Sequence, residues 1–489
     1  MVQRYLALDL GASSGRGIVG AWDGERITLG EVSRFDNPSA VMRDHLYWDT
    51  PAQWRGVLDA LTAAGSGLAS VGIDTWGVDF GLIGSDGALL SNGVHYRDAV
   101  PPDVRSAVDE RLGRETLYGV TGIAPMPFNT LYRLAALKHA RASSLAAARH
   151  LLLTADLLAY LLTGEMGAEE TLASTTQMVD LQTGDWAYDL LHKLELPTDI
   201  LPRITASAAV RGKVLPGVHE SGQGVPVVAV GSHDTASAVA AVPASGKFAY
   251  ISSGTWSLLG TELETPRPSV AALEAGLTNE RAVGGATRLL RNVMGLWIIQ
   301  ECRRTWAAQG KRYDYAQIAD MAEKAPPCAA LIDPDDEAFL APGDMPARIA
   351  AYCAQTGQRA PEDDAGIARI VFDSLALKYR WAIERLMAIS ETVFEELYIV
   401  GGGSQNPLLN RLTADALNLP VHAGLPEATA VGNLLVQAMA MGEIGSLAQL
   451  REASRSSFPL ETYLPAPEGT ACYAEAYPRF CALLNGGQA

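Results

Sequence analysis

The sequence is poor in features that would mark several protein classes. Its five cysteines, Cys302, Cys328, Cys353, Cys472 and Cys481, are odd in number and never fall in CxxC spacing. That argues against a disulfide framework and a zinc ribbon and fits reduced thiols in a cytoplasmic protein. Basic residues are few: 38 Lys and Arg stand against 55 Asp and Glu, the net charge is −17, and Lys and Arg form no cluster beyond adjacent pairs. Nucleic acid and an anionic membrane are therefore poor partners. An anionic ligand stays open, because backbone N–H groups and helix N-termini bind phosphate in an acidic protein. The longest apolar stretch, residues 151–162, contains Asp156 and is too short to span a bilayer. The opening MVQRYLALDL reads as a strand, not as a charged leader with an apolar core, so no signal peptide is expected. There is no GK[ST] of a Walker A loop, and no GxGxxG opens a helix, which speaks against a dinucleotide oxidoreductase.

At 489 residues, with 48% apolar and 19% charged residues, the composition is globular and the chain is too long for one ordinary core. Two domains are expected, over 1–242 and 247–489. The chain is organised around residues 227–260, VVAVGSHDTASAVAAVPASGKFAYISSGTWSLLG. An apolar strand over 225–230 ends in Gly231-Ser232-His233-Asp234. A small-residue helix is expected over 235–242, a turn at 243–246, and a second strand over 248–252 running into Ser253-Gly254-Thr255.

Before this stretch, strands are expected over 5–10, 17–22, 26–34 and 71–75. A helix from Thr50-Pro51 to about 64 has Thr as its cap and Pro in its first turn. A hairpin centres on 85–87, and helices cover about 104–112, 130–142 and 155–163. Residues 168–202 give no firm pattern. Beyond it, helices are expected over 294–308, 365–389, 407–417 and 427–441, and a strand over 396–400. In the long helix Ile367, Val371, Leu375, Tyr379 and Ile383 recur every four residues as one stripe. The pattern in both halves is α/β with mixed sheets. Residues 6–19 and 248–260 echo each other as strand, Ser/Gly turn, strand, which suggests two related domains.

Each candidate site admits two readings. Residues 11–16, GASSGR, offer bare N–H groups and the Arg16 guanidinium to a phosphate, or form a plain hairpin turn. Asp9 suits a water-mediated Mg²⁺ contact or a bond to its own loop. Ser253-Gly254-Thr255 repeats that choice, and Gly401–Gly403 either lets a flat ligand lie on bare backbone or makes a tight connection. Asp234 is a carboxylate placed to take a hydroxyl proton in phosphoryl transfer, or an N-cap. His233 is a sugar-hydroxyl partner or a loop residue. Trp76-Gly77-Val78-Asp79 pairs an aromatic face with a carboxylate, as sugar sites do, or supplies a core Trp and a turn Asp. Arg97-Asp98 is a site pair or a surface ion pair.

Taken together, LDLGASSGR (8–16), GIDTWGVDF (72–80), YRD (96–98), FNTLYRL (128–134), SHDTASAV (232–239), SSGTWSL (252–258), NVMGLW (292–297), FDSLALKY (372–379), IVGGGSQN (399–406) and EATAVGN (427–433) resemble the FGGY carbohydrate kinases, in the family's order. WGVDF and SHDTASAV narrow the resemblance to the branch acting on L-rhamnulose. It implies two actin/Hsp70/hexokinase-like (ribonuclease H-like) ATPase domains around a central cleft, with ATP and Mg²⁺ as cofactors and L-rhamnulose phosphorylated at its 1-hydroxyl. It also implies roles: Asp234 as general base; Ala12, Ser13, Ser14, Gly15, Arg16 and Thr255 on the phosphates; Asn292, Gln300 and Gly402 at the nucleotide; Gly77, His233 and Thr235 at the sugar. Trp76, Asp79 and Arg97 are added as sugar contacts and Asp9 as the metal residue. The alternatives are a kinase for L-fuculose or xylulose, and a non-catalytic sugar or ATP sensor. The chain departs from the family pattern around 36–46 and 262–287. A monomer or small homo-oligomer is expected.

Overall fold

The strand expected over 5–10 runs Gln3–Leu10, and its last six residues are buried. It pairs antiparallel with Ser14–Trp22, and that strand with Ile27–Asp36. On its other side it pairs in parallel with Ser70–Thr75, which in turn takes Pro226–Ala229 in parallel. Ala209–Lys213 completes a six-stranded mixed sheet. These coordinates are a computed structural model, and residues 2–486 are described.

The chain folds into two compact units. The first takes in the chain up to Pro243 with Glu262–Leu289 and Ala428–Ser457; the second takes Ala244–Thr261, Leu290–Glu427 and the chain from Phe458. The second unit's sheet repeats the topology of the first. Ala249–Ser253 pairs antiparallel with Trp256–Leu263 and in parallel with Leu397–Val400, which takes Val421–Ala423 in parallel. Glu461–Tyr463 lies beyond Val421–Ala423, and Thr287–Met294 beyond Trp256–Leu263. The two strand–turn–strand segments echoed in the sequence are thus equivalent hairpins.

In the first unit, helix Thr50–Ala64 covers the hairpin strands, burying Val57, Ala60, Leu61 and Ala64. Its cap is Asp49, whose side chain accepts from Ala52 N at 3.0 Å, and not Thr50 as expected. Helix Ala428–Ala440 lies on Gln3–Leu10, Ser70–Thr75 and helix Asp234–Ala240, all within this unit. These two helices, both rich in small residues, pack together, and both belong to one unit. A Cβ on Gly432 would sit 1.8 Å from the Ser237 carbonyl oxygen, so only glycine allows this crossing.

In the second unit the long helix spans Asp364–Ser390, and the expected stripe is buried throughout. Burial continues around its first half to Ala368, Phe372, Asp373 and Lys378, because helices Tyr315–Lys324, Met345–Gln355, Pro407–Leu417 and Pro467–Leu484 surround it. Met294, read as the start of a helix, ends a strand; the helix is Trp297–Ala308. The unplaced region 168–202 holds strand Ala168–Glu169 and helices Glu170–Ser174 and Tyr188–Lys193. All five cysteines are free thiols. No helix among the described residues is long and apolar enough to cross a membrane.

Candidate active site

In the first unit the parallel strands Gln3–Leu10 and Ser70–Thr75 place Asp9 and Asp74 side by side in register near their carboxyl ends. Ligands collect at such ends in α/β sheets. Asp9 also faces Arg16 across the hairpin and is paired with it. Arg16, expected on phosphate, thus already has a carboxylate partner. Asp74 is fully buried, and its Oδ2 accepts from Asn433 Nδ2 at 2.6 Å. Burial and the neighbouring Asp9 charge push its carboxyl well above the usual range, against the Asn433 bond. Asp74 Oδ1 is buried with no partner. Asn433 is itself fixed by Gln437, whose Nε2 donates to Asn433 Oδ1 at 2.7 Å and to Leu6 O at 3.0 Å.

The segment before Asp234 is tied down residue by residue. Thr75 N donates to Ser232 O at 2.9 Å, Ser232 N to Glu169 Oε2 at 3.2 Å, and His233 N to Thr171 Oγ1 at 3.2 Å. Glu169 is wholly buried, which pushes its carboxyl up to about 8. Asp234 opens the helix Asp234–Ala240, and its backbone neighbour His233 is the N-cap, with no side-chain capping bond. The capping reading of Asp234 therefore fails. Its Oδ1 accepts from Thr235 N at 2.5 Å and Thr235 Oγ1 at 3.0 Å. The Asp234 side chain keeps 32% of its surface exposed, while that of His233 keeps 10%. A carboxylate on fixed backbone, open to solvent on one side, can accept a proton from a bound hydroxyl.

The loop 76–79 sits beside this segment in the sheet, through the Thr75–His233 bridge. Asp79 is buried, and its Oδ2 accepts from Trp48 Nε1 at 2.6 Å, Trp76 Nε1 at 2.9 Å and Tyr96 N at 3.0 Å. Burial pushes its carboxyl up to about 6, against the opposing Arg133 charge and those bonds. Asp79 thus anchors an aromatic cluster: Trp48 and Trp76 lie 4.2 Å apart between ring centroids, and Trp48 stacks on His95 at 3.9 Å. The His95 imidazole is pushed down to about 4, first by burial and then by Arg97 and Arg133. Arg97 lies over the Tyr96 ring, 5.5 Å from its centroid. Asp98, considered as its ion-pair partner, accepts from Leu46 N at 2.7 Å and faces His45 Nδ1 at 2.9 Å. Gly77 is held close to Thr175, whose Oγ1 would stand 2.9 Å from an added Cβ, and Val78 N donates to that oxygen at 3.1 Å.

In the second unit the turn 253–255 is backed by residues 295–297: Gly295 N and Trp297 N donate to Thr255 O at 3.1 and 3.2 Å, and Leu296 N to Gly254 O at 3.0 Å. Thr255 Oγ1 donates to Gln300 Oε1 at 3.3 Å. Gly401, at φ 83°, and Gly403 fold onto Ser253; a Cβ on Gly403 would stand 2.0 Å from Ser253 Oγ. An added Cβ on Gly402 would meet nothing within 4 Å, so its backbone face is bare. Asn292 lies on strand Thr287–Met294, and its Oδ1 is buried without a partner. Thr255 and Gln300 thus meet at this turn, and Gly401 and Gly403, on either side of Gly402, fold onto it.

Several residues of these sites escaped the sequence reading. Asp74 and Asn433 lie inside the quoted segments GIDTWGVDF and EATAVGN, and Thr130 inside FNTLYRL; Thr130 Oγ1 donates to Val78 O at 2.6 Å. Their positions carried a signal, though no role. Trp48, Glu169, Thr175, Glu280 and Arg288 lie outside those segments.

Comparison with known proteins gives the family and the fold. The model of the FGGY family of carbohydrate kinases, N-terminal domain, matches residues 4–241, and that of its C-terminal domain residues 249–441. The chain is 42% identical to a rhamnulokinase of Bacteroides thetaiotaomicron, covering 98% of this chain and 99% of that one. It is 40% identical to a rhamnulokinase of Pectobacterium carotovorum, covering 99% and 97%. In fold it is similar to the crystal structure of gluconate kinase from Lactobacillus acidophilus (TM-score 0.82, 17% identity, 99% and 98% covered). It is also similar to xylulose kinase from Rhodospirillum rubrum (TM-score 0.81, 17% identity, 99% of each covered). Both units thus have the actin/hexokinase-like ATPase fold, and a kinase of this kind uses ATP as co-substrate. On two family models that together cover most of its length, and on relatives at about 40% identity over nearly all of it, the chain belongs to the FGGY family of carbohydrate kinases.

Proposed function

We propose that this kinase transfers the γ-phosphoryl group of ATP to the 1-hydroxyl of L-rhamnulose in the cytoplasm, with Asp234 as general base. The observation that carries the reading is Asp234 itself: a carboxylate on backbone fixed by Glu169 and Thr171, not spent on a cap, and one-third exposed. The rhamnulokinase relatives favour the sugar. In phosphoryl transfer the protein positions the reactants and stabilises charge. The sugar oxygen attacks the γ-phosphorus in line, its proton passes to Asp234, and the bridging oxygen leaves on ADP.

Trp76, Gly77, Asp79, Arg97, His233 and Thr235 are assigned to the sugar. Asp79 and Trp76 act there by shaping the wall, since the Asp79 Oδ2 atom is already shared by two indoles and a backbone amide. Residues 12–16 and Thr255 are assigned to the phosphates, and Asn292, Gln300 and Gly402 to the rest of the nucleotide. The register-paired Asp9 and Asp74, with Asp74 Oδ1 lacking a partner, fit a divalent cation that arrives on the nucleotide phosphates. Asp9 would hold Mg²⁺, which would neutralise phosphate charge.

The test is a panel of ketoses coupled to ADP release, with the position of the product phosphate read by NMR. L-Rhamnulose should give the highest kcat/KM, with transfer to O1. L-Fuculose or D-xylulose in first place would move the substrate and keep the kinase. Failure of every sugar to stimulate ADP release would favour the sensor.

A further inference from the structure

One charged group in the first unit has no place in the reaction as described so far. Glu280 and Arg288, both buried, lie on the neighbouring strands Thr278–Arg281 and Thr287–Met294. Arg288 Nη2 donates to Glu280 Oε2 at 2.8 Å, and its Nε to Arg281 O at 3.1 Å. Glu280 Oε2 lies 3.1 Å from His233 Nδ1, and Arg288 Nη2 lies 3.0 Å from the same nitrogen. On the other side of the ring, His233 Nε2 stands 3.5 Å from Asp234 Oδ1.

These contacts cannot all be hydrogen bonds. A carboxylate only accepts and a guanidinium only donates, so Nδ1 either carries a hydrogen for Glu280 or presents a lone pair to Arg288. In the second case the Nδ1 lone pair would face the Glu280 carboxylate at 3.1 Å without a hydrogen between them. In the first case both N–H groups point at one anionic oxygen, and bonds to an ionised acceptor are the stronger kind. Burial works to raise the Glu280 carboxyl, but Arg288 and His233 outweigh it and hold it below the usual range, so the acceptor is an anion. At 3.5 Å the Asp234 contact is too long to be a competing hydrogen bond.

We infer that Glu280, clamped by Arg288, is a positioning residue that fixes His233 as the Nδ1–H tautomer and leaves Nε2, beside Asp234, as a hydrogen-bond acceptor for a second sugar hydroxyl. The inference rests on the sugar assignment of His233 above and deepens it. One hydroxyl gives its proton to Asp234; another of the same sugar donates to Nε2. The site therefore selects a sugar with a second hydroxyl within reach of the first, required as a donor. Such partners behind a histidine fix its tautomer and orientation.

The direct test is the imidazole ¹⁵N spectrum of the full chain with labelled histidine, the His233 signals being assigned by their loss in His233→Gln. The wild-type chain should show a protonated Nδ1 and an unprotonated Nε2. A protonated Nε2, alone or together with Nδ1, overturns the inference. The kinetic test is Glu280→Gln, which keeps the shape and replaces the anionic acceptor by a neutral amide. Its sugar KM should rise about tenfold, as when a histidine's outer partner is lost, with ADP affinity unchanged and kcat less affected than KM. An unchanged sugar KM, or equal loss of kcat with no change in KM, contradicts the role. If no sugar stimulates ADP release by the wild-type enzyme, the substrate reading fails, yet the spectrum still decides the tautomer; and should Glu280→Gln not fold, the wild-type spectrum alone decides it.

Discussion

The two units share a topology and differ in chemistry. Each has a hairpin whose first strand continues into two parallel neighbours, and each hairpin turn sets Gly beside Ser and another small residue, Ala12 in the first and Thr255 in the second. Near the first turn and on other strands and loops of the first unit, the chain places Asp9, Asp74, Asp79, Glu169, Asp234 and Glu280, with burial raising Asp74, Asp79 and Glu169. Around the second it gathers Ser253, Thr255, Gln300 and the bare backbone of Gly402. Desolvated carboxylates suit proton chemistry. Neutral donors and open backbone suit a ligand that brings its own charge. Under the function proposed above, one architecture serves a chemical half and a docking half, and the division of labour lies in side chains, not in the fold.

The comparison can be broken at its glycines. Gly432→Ala in the first unit drives a Cβ to 1.8 Å from a backbone oxygen that cannot move aside, whereas Gly403→Ala in the second meets the Ser253 side chain, whose hydroxyl at 2.0 Å can rotate away and whose Cβ at 2.7 Å requires a smaller shift. Gly432→Ala should cost about 3 kcal/mol or more, at the upper end of overpacking penalties, and Gly403→Ala clearly less; denaturant titration of both checks this. Equal losses would mean the helix crossing tolerates separation.

A smaller effect sharpens the docking half. Thr255→Val removes a hydroxyl and its Gln300 contact. The KM for ATP should rise about tenfold, in line with about 1.5 kcal/mol for a hydrogen bond to a charged group, while the KM for sugar stays put. A shift in sugar KM instead would erase the distinction between the halves.

A further effect concerns pH. Because the folded Asp79 ionises only near pH 6 rather than 3.8, the folded chain binds more protons than the unfolded one between about pH 4 and 6. Stability contributed by its protonated form is present below pH 4 and is lost as pH rises to 6. Over about two units this amounts to roughly 3 kcal/mol at most. Asp79→Asn should flatten the stability profile in that window; an unchanged slope from pH 4 to 7 would show that Asp79 is ionised throughout.

Much of this was legible in the sequence, for physical reasons. Strand, Ser/Gly turn and strand are local signals, so both hairpins and the strand before Asp234 could be read to within about three residues. The long helix announced itself through its four-residue stripe. What stayed hidden depends on contacts distant in sequence. Asp49 was passed over as a cap because Thr-Pro beside it has the same signature. Glu169 reaches Ser232 across 63 residues, and Arg288 reaches His233 across 55; no periodicity marks either. The helix at Ala428–Ala440 reads as part of the second half by position, yet it completes the first unit, because its Gly432 and Asn433 fit only there.

The claim that the first unit carries the proton step is tested most directly by single-turnover phosphoryl transfer in Asp234→Asn, at saturating ATP and L-rhamnulose, with ADP affinity measured on the same preparation. The account predicts a loss of at least ~100-fold in the transfer rate, the low end for a general base, and ADP binding equal to wild type. A near-wild-type transfer rate would contradict it.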